Sequence, residues 1–210
     1  MSTSSAVLSD ESRLSKFDRA LLKIEANLNL IGGITIFILV LMAVWNVMGR
    51  KLLNAPVPGY VDWTSQFMIL FAFLGLSYCQ REGGHIRMDI VLMRLQGRTL
   101  WLAEWLSILF MLIVVTGLVY GSWFHFLRSF DWDMAMFSRD SSIDVGLPLW
   151  PAKLVVPLAF VLLWLRLAIQ LWAYGRGLKT GQATIVAVPL PEDPMSVAAR
   201  EAESVSGRED

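Results

Sequence analysis

Two histidines, one cysteine and two charges inside apolar stretches are the residues of this 210-residue chain most suited to chemistry. A haem held within a membrane needs two His ligands at one depth. His85 and His125 fall at opposite ends of the apolar runs and cannot share an iron. An intramembrane serine protease needs a Ser–His pair inside the helices, and Ser77 has no such His beside it in the pattern. Cys79 is the single cysteine, which excludes an internal disulfide and a multi-thiolate metal site within the chain. No cofactor is implied, and an enzyme is not expected. Glu104 and Arg166 are different. An ionisable group in a membrane span costs about 2.5–3.5 kcal/mol on insertion scales and points to function or a partner. At 1.5 Å per residue both fall within about 10 Å of one boundary on neighbouring antiparallel spans. The spacing favours a Glu104–Arg166 ion pair, with separate snorkelling or a contact to another subunit as alternatives.

The elements that must position these residues follow from composition. Hydrophobic residues make up 55% of the chain, charged residues 17%, and nine are Trp; soluble domains carry about 25% charged. Net charge is zero, so nothing points to nucleic acid. The apolar excess collects in four blocks, at about 28–48, 63–80, 99–127 and 151–175. Each is close to the roughly 20 residues a helix needs to cross the hydrocarbon. An unbroken run such as Ile36–Leu41 lacks the alternation of a barrel strand. The expected fold is an all-α integral membrane protein of four transmembrane helices, with residues 13–180 as its membrane domain.

Lys and Arg set the orientation. Arg13, Lys16, Arg19 and Lys23 precede the first span; Arg81, Arg87, Arg94 and Arg98 lie between the second and third; Arg176 and Lys179 follow the fourth. The opposite side has Arg50, Lys51, Arg128, Arg139 and Lys153. Ten against five predicts both termini on the cytoplasmic side. Trp45, Trp63, Trp123 and Trp150 fall at outer span ends, and Trp101 and Trp172 at inner ends, as in an aromatic belt. Trp164 lies inside a span, facing either another helix or lipid.

Residues 1–12 and 181–210 read as disordered tails. Leu14, Phe17, Leu21, Ile24 and Leu28 form a narrow apolar stripe, which predicts an amphipathic helix on the inner surface or against a partner. Pro56 and Pro58 form a turn before the second span, and Asp62 is placed to cap it. The connection 128–150 is aromatic and reads as a structured outer segment, closed by Pro148, Trp150 and Pro151. The inner connection begins Arg81-Glu82-Gly83-Gly84-His85-Ile86-Arg87-Met88-Asp89. Its glycine pair allows a sharp turn, and the apolar stretch 86–95 predicts a short interfacial helix. A self-sufficient transporter usually shows internal repeats and broken helices meeting at the midplane. Gly32-Gly33 and Pro157 interrupt two spans, but no convincing repeat accompanies them.

The four spans with the Gly83-Gly84-His85-Ile86 run and Asp89 after the second resemble the DctQ-type small membrane subunit of TRAP transporters, the tripartite ATP-independent periplasmic systems. Supporting matches are Pro56 and Pro58 before span two and Pro148, Trp150 and Pro157 entering span four. The resemblance covers roughly residues 15–175. It implies a bacterial cytoplasmic-membrane complex in which a periplasmic receptor captures an organic anion, commonly a carboxylate. A large membrane subunit holds the substrate and sodium sites, and the small subunit braces it. On this reading the inner segment with Arg81, Gly83, Gly84, His85, Arg87 and Asp89 holds the assembly geometry, and the 128–150 loop meets the receptor. Lipids, the large subunit and, transiently, the receptor are the expected partners. A stand-alone membrane adaptor is the alternative.

Overall fold

The computed structural model describes residues 13–81 and 98–180. Five helices run through them: α1 (Arg13–Leu52), α2 (Tyr60–Leu74), α3 (Leu76–Arg81), α4 (Arg98–Ser129) and α5 (Trp150–Thr180). A 3-10 turn at Ala135–Phe137 and two isolated bridges, Phe130–Ser138 and Ser141–Pro148, shape the loop before α5. Among the described residues, three helices are long and apolar enough to cross a membrane: Ser15–Leu52, Trp101–Ser129 and Trp150–Leu178. The expected second span is instead two helices parted at Gly75. The Gly75 carbonyl still accepts the Cys79 N–H at 2.9 Å, so the chain keeps its course. A Cβ at Gly75 would stand 3.2 Å from Asn29 Oδ1, so glycine permits α1 to approach closely here.

The first helix departs from expectation in two ways. No surface helix precedes the first span as a separate element; α1 is one helix of 40 residues. Its buried face is also not the apolar stripe. Phe17 and Ile24 are exposed at 64% and 49%, whereas Ser15, Asp18 and Glu25 are buried together with Leu21. The buried positions continue at Gly32, Thr35, Asn46 and Gly49, a small and polar stripe at helical spacing. The physical reason is the solvent. Lipid accepts apolar side chains without penalty, so the polar face must turn inward to find partners.

Helix α5 is the hub, packing on α4, α2, α3 and α1, while α4 packs extensively on α5 alone and α1 mainly on α2. The order in space is therefore α1, α2–α3, α5, α4. On α4 the core residues Trp101, Ile108 and Val115 recur every seven positions and meet Leu163, Leu167, Ala173 and Tyr174 of α5. Trp164 joins this seam, its indole N–H donating to Thr116 Oγ1 at 3.0 Å while much of the ring stays exposed. The outer faces of α1 carry large apolar side chains from Leu30 to Leu52 that no other described residue covers.

The end where α1 finishes and α2 and α5 begin is called the loop end below, and the opposite one the Arg81 end. At the loop end the connection is ordered by hydrogen bonds to the helices. Asn46 Oδ1 accepts the Val57 N–H at 3.0 Å, which fixes the turn containing Pro56 and Pro58. Gln66 Nε2 donates to the Pro148 carbonyl at 3.1 Å. Pro157 is fully buried within α5. The Gly83–Asp89 segment, the expected interfacial helix and both tails lie outside the described residues.

Candidate functional site

Four charged side chains converge near the Arg81 end: Asp18 and Glu25 from α1, Arg81 from the last turn of α3, and Arg166 from α5. All are at most 3% exposed. Arg81 grips Asp18 with both ends of its guanidinium, Nη1 to Oδ1 at 2.9 Å and Nη2 to Oδ2 at 2.7 Å. A further contact joins Arg81 Nη1 to the Asp18 carbonyl at 3.4 Å. Arg166 reaches the same carboxylate through Nη1 and Asp18 Oδ1. Glu25 accepts the Ser77 hydroxyl at 2.5 Å and lies 3.9 Å from Arg81 Nη1. One turn along, Gln80 Nε2 donates to Gln170 Oε1 at 2.9 Å.

Two carboxylates and two guanidiniums leave this cluster with no net charge. That balance lets four ions sit together out of water, where a single unpaired one would cost several kcal/mol. Paired bidentate geometry adds directional strength. Because Asp18 is shared by Arg81 and Arg166, it fastens α1, α3 and α5 at one point. Chemically the cluster positions helices. Among the described residues, no group of three His, Cys, Asp or Glu could hold a metal.

Sequence reasoning singled out Arg81 and Arg166 but missed their partner. Glu104 is buried at 6% exposure on the α5-facing stripe of α4. The Trp101–Tyr174, Trp105–Gly175 and Thr116–Trp164 contacts fix the α4–α5 register. They set Glu104 level with the last turns of α5, roughly 10 Å along the seam from Arg166. The structure gives Arg166 a carboxylate from α1, Asp18. His125 is exposed at the loop end, and His85 lies outside the described residues. The signal that would have revealed the partner is the polar stripe itself, with Ser15, Asp18 and Glu25 running into Gly32 and Thr35 at helical spacing.

At the loop end, Asp62 does not cap its own helix. The position before α2 is Gly59, with φ of 64°, and no side chain caps it. The Asp62 carboxylate instead accepts the backbone N–H groups of Asp144 and Val145, each at 3.0 Å. A hydrogen bond from Ser142 and these backbone donors hold its carboxyl below the usual carboxylate range. Lys153 does the same for Asp140, at 2.6 Å. Phe130 lies between Trp132 and Trp150, at centroid distances of 5.0 and 5.4 Å. Trp150 donates its indole N–H to the Met136 carbonyl at 2.8 Å.

Comparison with protein families places residues 39–176 in the family described as tripartite ATP-independent periplasmic transporters, DctQ component. The chain belongs to the DctQ family. The match takes in α2, α3, α4, most of α5, Arg81 and Arg166, while Asp18 and Glu25 lie N-terminal to it. No curated protein matches the chain. As a DctQ component it is the small membrane subunit of a TRAP transporter and a multi-pass inner-membrane protein, a transporter part rather than an enzyme. DctQ components work with a large membrane subunit and a periplasmic receptor.

Proposed function

We propose that this chain braces the large subunit of a sodium-coupled uptake system for an organic anion, a carboxylate by the family resemblance. The observation that supports this most is the contrast between inside and outside. A neutral four-charge cluster fastens α1, α3 and α5 into one unit, while long apolar faces of α1 and α4 remain open. A brace needs that combination of internal rigidity and free lateral surface. Counting α2 and α3 as one crossing gives four spans, and the two-to-one excess of Lys and Arg puts both termini in the cytoplasm. Arg81, two residues before Gly83 in the sequence, is itself fixed against α1. The loop between α4 and α5 carries exposed Trp132, Met134 and Met136 over a packed aromatic base and supplies the receptor contact.

The test is reconstitution. The large subunit and receptor, with this chain present or omitted, are placed in vesicles and uptake of a labelled carboxylate is driven by a sodium gradient. Uptake should require the chain and the gradient, and replacement of 130–148 by a short Gly–Ser linker should abolish receptor-dependent uptake. Equal uptake without the chain would remove the bracing role, and full uptake with the linker would remove the docking role.

A further inference from the structure

We propose that the last two turns of α4, at the loop end, carry a binding site for an anionic phospholipid on the face turned away from α5. Tyr120, Gly121, Phe124, His125 and Arg128 line an open groove there. They lie three, four and seven positions apart, so they share a face of the helix. The seam residues Ile108 and Val115 hold the other face against α5. The floor of the groove is bare: a Cβ added at Gly121, or at Gly117 one turn deeper, would meet nothing within 4 Å. Tyr120 and Phe124, 68% and 46% exposed, pack on each other at a centroid distance of 4.7 Å and form an aromatic wall. Helix side chains lean toward the helix N-terminus. Arg128 therefore reaches back over the turn of Phe124 and closes the end of the groove nearest the loop.

The charge balance selects the ligand. The neighbouring carboxylates have partners of their own: Asp131 pairs with Arg139 at 2.8 Å, Asp140 with Lys153 at 2.6 Å, and Asp62 with the Asp144 and Val145 amides. His125 lies close enough to Asp140 for their charges to interact, so that carboxylate faces two basic groups. Asp133 and Asp144 are exposed, and neither forms an ion pair with a described residue. Arg128 is likewise exposed and makes no ion pair or hydrogen bond among the described residues. The partial negative charge at the end of α4 holds the guanidinium in place without neutralising it. A permanent cation above an apolar, aromatic-walled slot suits an acyl chain joined to a phosphodiester. Basic pockets between transmembrane helices take anionic headgroups by the same pairing. A zwitterionic lipid offers the same chain and phosphate but adds an ammonium beside Arg128, so the groove discriminates by headgroup charge.

The experiment is native mass spectrometry of the full-length chain, purified in mild detergent and titrated with phosphatidylglycerol or phosphatidylethanolamine of identical acyl chains. The wild type should retain one phosphatidylglycerol about tenfold more tightly than phosphatidylethanolamine. Arg128→Gln should remove that preference. Arg50→Gln deletes the same charge at the same end of the bundle, but from α1, and should leave the preference intact. Gly121→Leu fills the floor and should weaken retention of both lipids. Its added side chain starts in open space, so the unfolding midpoint should stay unchanged. Arg128 is exposed, so its variant tests the site whatever the fate of Gly121→Leu. Equal retention of the two lipids by the wild type overturns the proposal. So does an undiminished preference in Arg128→Gln, or an equal loss in Arg50→Gln, which would assign the effect to general surface charge.

Discussion

Arg166 of α5 and Asp18 of α1, 148 positions apart in the chain, share one buried ion pair in which Arg81 also takes part. Removing one partner of such a pair leaves the others charged and out of water, at about 3–5 kcal/mol. Asp18→Asn should therefore destabilise the subunit by about that much, read as a lowered unfolding midpoint in mild detergent. The double variant Asp18→Asn with Arg166→Gln keeps Arg81 and Glu25 as a neutral couple. It should be less damaging than the two single changes added together, by about 1–3 kcal/mol. Strict additivity would show that the two residues do not act as a pair.

Ser77 is the hydrogen-bond donor to Glu25, and the carboxylate has no access to water in its place. Ser77→Ala should destabilise by about 1–3 kcal/mol, whereas Ser77→Thr, which keeps the hydroxyl, should recover most of the loss. Thermal unfolding of the three proteins side by side distinguishes the hydroxyl from the small volume.

Gly59 carries a double requirement. Its φ is 64°, and a Cβ there would come within 2.5–2.6 Å of the Val145 methyl groups. Gly59→Ala should cost about 1–3 kcal/mol and push the loop away from α2. Adding Val145→Ala should relieve the clash but leave the backbone strain, so recovery should be partial. Full recovery in the double variant would assign the whole effect to sterics.

The pH response of the loop end has a defined sign. Asp62 has a lowered carboxyl pKa in the folded protein, held down first by Ser142 and then by the Val145 and Asp144 amides. Its contribution is complete above the unfolded value of about 3.9 and is lost as pH falls through the lower folded value. Asp140 and Asp131 are shifted the same way and add to the loss in that range. Hydrogen exchange at the Asp144 and Val145 amides, corrected for intrinsic rate, should accelerate below about pH 4. Asp62→Asn should show fast exchange already at pH 7 and a flatter response. Unchanged protection in that variant would mean that the carboxylate does not hold the loop.

Two of the apolar blocks were legible in the sequence as long helices because hydropathy over some 20 residues is a strong local signal. The predicted 99–127 and 151–175 became Arg98–Ser129 and Trp150–Thr180. The face of α1 was misread for a reason that is equally physical. Phe17 and Ile24 form a stripe that would mark the core of a soluble protein, yet here it turns away from the other helices. Asp18 was illegible as a partner of Arg166 because charges were weighed only inside the apolar runs, and Asp18 precedes the first of them. Asp62 was correctly given importance but the wrong beneficiary, since capping rules see only the residues that follow in the same helix. Its amide partners lie 82 and 83 positions away.

The shared carboxylate also has a consequence in time. Asp18 is synthesised 63 residues before Arg81 and 148 before Arg166. At 5–20 residues per second, Arg81 emerges roughly 3–13 s after Asp18, and Arg166 several seconds later still. Of the two guanidinium partners of Asp18, Arg81 is therefore the first to be made. The carboxylate's second guanidinium arrives only when the final helix is made.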